Sequence, residues 1–84
     1  MEKAILDNFA IQLLRNKELR GYILVYVDRG AKTASAQRRI RFIKRYLINV
    51  RGVPAKRIIS KDAGPREEAG VELYLVPQGK PGPT

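Results

Sequence analysis

Six consecutive residues, Tyr22-Ile23-Leu24-Val25-Tyr26-Val27, constrain this chain more than any other feature. They are β-branched, aromatic or aliphatic throughout, with no polar residue at alternate positions, so both faces of the resulting strand call for cover. A strand at the surface would alternate apolar with polar; this one belongs in the middle of a sheet. The chain has 84 residues, enough for a single core. The remaining sequence must therefore supply a strand on either side and a layer on at least one face.

Residues near Ala4 to Arg15 read as a helix, because Leu6, Phe9, Ala10 and Leu13 recur at helical spacing with Ile5 beside them, while Asp7, Asn8 and Gln12 lie elsewhere on the cylinder. Asn16 and Gly21 bracket a polar connection. Beyond the central strand, Asp28 to Ala34 is a short polar loop containing Gly30, and Thr33 or Ser35 can cap the next helix. That helix is predicted from about Ser35 to Val50. Its stripe is Ala36, Ile40, Ile43, Leu47 and Val50, flanked by Phe42 and Tyr46, and Gly52 followed by Pro54 stops it. Ile58 to Asp62 reads as a short strand, and strand, helix, strand in this order implies a right-handed parallel crossover. A loop from Ala63 to Gly70 carries a Gly64-Pro65 turn and the charged run Arg66-Glu67-Glu68. Val71, Leu73 and Leu75 then alternate with Glu72 and Tyr74, the pattern of a strand with one buried face.

The fold expected is an α+β two-layer sandwich of order α-β-α-β-β, with two helices on one face of a three-stranded mixed sheet. Its central strand, Tyr22 to Val27, is parallel to Ile58 to Asp62 and antiparallel to Val71 to Val76. Residues 1–77 form one domain, and the Pro- and Gly-rich residues 78–84 are expected to be a flexible tail. Tyr22, Leu24, Tyr26 and Tyr74 fall on the uncovered face, where a tendency to form a homodimer is expected.

Charge narrows the function. The net charge is +9, and it is concentrated. From Asp28 to Arg57 there are ten bases (Arg29, Lys32, Arg38, Arg39, Arg41, Lys44, Arg45, Arg51, Lys56, Arg57) against the single acid Asp28; elsewhere seven bases balance seven acids. Within the second helix Arg38, Arg41 and Arg45 repeat on one side, with Lys44 nearby. Like charges at this spacing repel by a few tenths of a kcal/mol per pair, so stability does not explain them. An anionic partner does: nucleic acid, an acidic lipid surface or an anionic polymer such as a cell-wall glycan.

The chain has no Cys and no His, which excludes thiolate and imidazole metal sites, Ser/His and Cys/His nucleophile pairs, and imidazole acid–base chemistry. The clustered carboxylates, Asp62 and Glu67-Glu68, lie in or beside a polar loop with bases on either side. Nothing there suggests an enclosed cleft, so the expectation is a non-catalytic binding module with no metal or cofactor. No stretch is long and apolar enough to span a bilayer. The opening residues Met1-Glu2-Lys3-Ala4-Ile5-Leu6-Asp7 put acids where a signal peptide needs bases and then a purely apolar run, so any export signal is expected outside this sequence.

Arg38-Arg39-Ile40 with Tyr46-Leu47, then Arg51-Gly52-Val53-Pro54-Ala55 with Arg57-Ile58, then Val71-Glu72-Leu73, resembles the OmpA-like C-terminal domain family. The likeness runs from the first helix to Val76. It implies a peptidoglycan-associating domain of the periplasm or cell envelope, here a short divergent form. In that family a strand-end Asp and a helix Arg hold the amine and carboxylate of the diaminopimelate side chain. The matching positions are Asp28 and Arg39, with Gly30 in the intervening loop and Ser35 at the helix start. The resemblance is incomplete: the loop is several residues shorter, the Asn before the helix is missing, and so is the family's first strand. A zwitterionic amino-acid end needs one fixed anion and one fork-shaped cation, and a helix N-terminus adds N–H donors for the carboxylate.

The alternative partner is nucleic acid. The basic patch can neutralise phosphates, and Tyr22, Tyr26 and Tyr74 on the open sheet face can stack single-stranded bases. These two surfaces are expected on opposite sides of the sheet, and no RNP-type motif is present. The remaining reading is a structural or oligomerisation domain.

Overall fold

The computed structural model describes residues 3–30 and 34–82. The elements are α1 (Lys3–Arg15), β1 (Leu19–Asp28), α2 (Ala34–Arg45) extended by a π-helical turn (Tyr46–Val50), a 3-10 turn (Ala55–Arg57), β2 (Ile58–Arg66) and β3 (Gly70–Pro77). The sheet order is β2-β1-β3, with β1 parallel to β2 and antiparallel to β3. The expected α+β architecture and the central place of Tyr22 to Val27 are therefore observed.

The two faces of β1 are buried by different means. On one side Ile23 and Val25 join Leu6, Phe9, Ala10 and Leu13 of α1, Ala36, Ile40 and Ile43 of α2, and Leu47 in a single apolar cluster. Gly21 lets α1 come close: a Cβ there would lie 2.8 Å from the Phe9 ring and 2.9 Å from the Leu13 methyl. On the other side no helix of the described residues covers the sheet, yet Leu24 is only 3% exposed. Its register partners are Lys61 on β2 and Glu72 on β3. Glu72 Oε1 accepts from the Tyr26 hydroxyl at 3.2 Å and from the Tyr74 hydroxyl at 2.9 Å, and Arg66 lies 3.8 Å over the Tyr26 ring. A polar and aromatic lattice does for Leu24 what helices do for Ile23.

Several boundaries differ from those read in the sequence. β1 starts at Leu19, so Gly21 is a strand position and not the end of a loop. β2 runs to Arg66, four residues beyond the expected end, because it absorbs a bulge: Val25 pairs with Asp62 and Tyr26 with Gly64, leaving Ala63 as the extra residue. Gly64 takes φ +92°, and its N–H donates to Asp62 Oδ1 at 3.0 Å. The second helix reaches Val50 but widens at its end, with the Arg51 N–H bonded to the Tyr46 carbonyl five residues back. Leu47 stays buried, while the wider turn leaves Val50 62% exposed and off the apolar stripe. Leu75, expected inside, is 39% exposed on the edge strand.

Two polar ties fasten these elements to one another. Arg57 is buried and donates through Nε and Nη2 to the Leu19 carbonyl (3.1 and 2.8 Å) and through Nη2 to the Asn16 carbonyl (2.8 Å), fixing the α1–β1 turn. Asp7 Oδ1 accepts from the Tyr46 hydroxyl at 2.5 Å and Arg51 Nε at 2.8 Å, joining α1 to the end of the second helix. These bonds, Arg51 foremost, hold the Asp7 carboxyl below the usual range, and the bond to Asp7 pushes the Tyr46 hydroxyl up.

Beyond β3, the Gln78 N–H donates to the Glu18 carbonyl (2.7 Å) and Arg20 Nη2 to the Lys80 carbonyl (2.9 Å). Gly82 sits so close to the Tyr22 ring that a Cβ there would collide with it. No helix of the described residues is long and apolar enough to cross a membrane.

Candidate functional site

The connection from β2 to β3 must cross the end of β1, because β2 and β3 flank it. Arg66 pairs with Asp28 and Gly70 with Tyr26, so the three residues between them pass over the C-terminal end of the central strand. Asp28 secures this crossing: its Oδ1 accepts from the Ala69 N–H at 2.8 Å. Among the described residues its other carboxylate oxygen has no hydrogen bond, and Asp28 forms no ion pair with Arg39.

Asp28, Ser35 and Arg39 nevertheless line one cavity of about 160 Å³, together with Tyr26, Val27 and Ala69. Ser35 is the second residue of α2, not the residue before it; Thr33, the other cap expected, lies outside the described residues, as does Lys32. Gly30 sits in the exposed turn after β1, away from the described lining, and a Cβ there would meet nothing within 4 Å.

From this cavity the surface continues along α2. A groove of about 550 Å³ is lined by Ser35, Arg38, Arg39, Phe42 and Ile43, and a further one of about 250 Å³ by Arg38, Arg41, Phe42 and Arg45. Successive cavities share walls: Ser35 and Arg39 between the first two, Arg38 and Phe42 between the second and third. Ala36, Ile40 and Ile43 hold the opposite side of α2 in the core, which turns the arginines outward. Lys44, counted with the basic patch from sequence, is half-buried and lines none of the three. Asp28 is the sole acid among the described lining residues, and neither of the two ion pairs among the described residues, Arg51–Asp7 and Arg66–Glu72, draws on α2.

Sequence reasoning also misplaces Phe42. Set down as a flank of the apolar stripe, it is 51% exposed amid Arg38, Arg39, Arg41 and Arg45. The signal was there: at about 100° per residue, Phe42 falls between Arg38 and Arg39 on the wheel, well away from Ile40 and Ile43. The tyrosines of the open face are, by contrast, engaged. Tyr26 lies under Arg66, Tyr26 and Tyr74 both donate to Glu72, and Tyr22 is met by Gly82 and by Arg20, 5.6 Å from its ring. The bond to Glu72 also raises the Tyr74 hydroxyl above its ordinary range.

No protein-family model matches the chain, and no curated protein matches it at a significant level.

Proposed function

We propose that this domain is a non-catalytic binding module that docks on peptidoglycan or a related anionic component of the bacterial cell envelope. The observation that carries the reading is the convergence of Asp28, Ser35 and Arg39 on one small cavity at the C-terminal end of the central strand. Open α/β sheets use that end for ligands, and the start of α2 contributes partial positive charge beside it. A carboxylate and a guanidinium lining one such space suit a ligand carrying both an amine and an acid. The resemblance to OmpA-like domains supports the same pair of residues. On this reading the protein works in the periplasm or at the cell envelope.

The test is retention on purified peptidoglycan at moderate salt. Asp28→Asn keeps an acceptor for the Ala69 N–H while removing the charge, and Arg39→Ala removes the fork. Each should weaken binding by about tenfold to a hundredfold, the range for hydrogen bonds to charged groups. Arg45→Gln should matter much less. Equal losses from Arg39 and Arg45 variants would reduce the contact to diffuse attraction and end the proposal.

A further inference from the structure

The outer side of α2 offers more than a bound amino-acid end requires. Arg38, Arg41 and Arg45 are presented along one line, with Phe42 half-exposed between them and two connected grooves running beside it. From Arg38 to Arg45 the helix rises about 10 Å, longer than a single sugar ring. An apolar ring left in water among four guanidiniums adds nothing to the fold, and the repulsion among the arginines opposes it slightly. Both features are accounted for by a ligand that is linear, repeatedly negative, and able to lay an apolar face on Phe42.

We propose that this surface is a subsite for a linear, carboxylate-bearing polysaccharide, with Arg38, Arg41 and Arg45 pairing its acid groups and Phe42 packing against the apolar face of one sugar ring. The proposal extends the envelope-binding reading and rests on it for where the ligand is met. It does not need the Asp28 pair. One observation favours an acidic glycan over single-stranded nucleic acid. Nucleic-acid tracks stack successive bases on successive aromatics, and here Phe42 has no aromatic companion among the described lining residues of the α2 grooves, while the sheet tyrosines are committed to Arg66, Glu72 and the C-terminal residues.

The experiment compares three probes on the whole chain: polygalacturonate, an uncharged glucan of similar length, and a single-stranded DNA oligonucleotide matched in charge. Binding is followed across a salt series for the parent, Phe42→Ala and the triple variant Arg38→Gln/Arg41→Gln/Arg45→Gln, with melting curves confirming that each is folded. Polygalacturonate should bind and the glucan should not. Phe42→Ala should lose about three- to tenfold in affinity with the salt slope unchanged, as removal of a packed ring requires. The triple variant should flatten that slope by about two to three units. Retention of the parent and Asp28→Asn on peptidoglycan is measured separately, so an envelope reading that fails at Asp28 is distinguishable from a failure here. The proposal is overturned if polygalacturonate does not bind at low salt, if Phe42→Ala binds it as the parent does, or if the oligonucleotide binds at least as tightly and depends on Phe42.

Discussion

Arginine is used in opposite ways on the two broad surfaces of this molecule. On the open sheet face Arg66 covers the Tyr26 ring and reaches Glu72 at 3.6 Å, while Glu72 holds two tyrosine hydroxyls, so charge and aromatic surface close on one another and bury Leu24. On the outer side of α2 the arginines surround an exposed Phe42 and take part in no ion pair among the described residues. Composition alone would rate the two surfaces alike, as basic residues mixed with aromatic ones. Their difference is one of satisfaction: where the groups meet each other they build structure, and where they do not they remain available to a ligand.

Leu24→Ala should break the contrast most sharply. If the open face is a true second layer, the substitution should cost about 2–4 kcal/mol in urea unfolding, as for other buried Leu positions. A loss below about 1 kcal/mol would mean that the lattice merely shades the strand. Next comes Arg57→Met, which strips three hydrogen bonds from two backbone carbonyls; about 2–3 kcal/mol should be lost, against nothing measurable for Arg41→Met on α2. Glu72→Ala should cost about 0.5–1.5 kcal/mol and leave Tyr26, Tyr74 and Arg66 without their common partner. If the open face then begins to self-associate in sedimentation, the lattice is also what keeps that face apart from a second copy.

The tie between the helices should appear in the pH dependence. The folded-state pKa of Asp7 lies below its ordinary value because Arg51 and Tyr46 donate to it. Its contribution is therefore complete above about pH 4 and is lost as the pH falls through the lowered value. Asp7→Asn should flatten the acid limb of the stability profile. Tyr46 and Tyr74 are raised, so their contributions hold below about pH 10 and fade as the pH climbs through the higher folded values. The smallest effect belongs to α2: replacing Arg38, Arg41 and Arg45 by Gln should change stability by a few tenths of a kcal/mol and in the favourable direction. A marked loss would show that these arginines have structural partners after all.

What the sequence determined by itself is the part of the protein governed by periodicity. The apolar run Tyr22 to Val27 sets the central strand, the spacing of Leu6, Phe9, Ala10 and Leu13 sets the face of α1, and Ala36, Ile40 and Ile43 set that of α2. Even the exposure of Phe42 is legible from its angle on the helix, once it is counted with the arginines and not with the stripe. These are local properties, repeated over neighbouring residues and reinforced at each turn. The tertiary structure alone decided which polar groups spend their hydrogen bonds inside the fold. Asp28 meets Ala69 and Tyr26 meets Glu72 across separations of 41 and 46 residues, Arg57 finds Leu19 across 38, and Asp7 reaches Tyr46 across 39. Such pairs depend on strand register, on the bulge at Ala63 and on the crossing of β1, and one residue's slip in any of them would give each group a different partner.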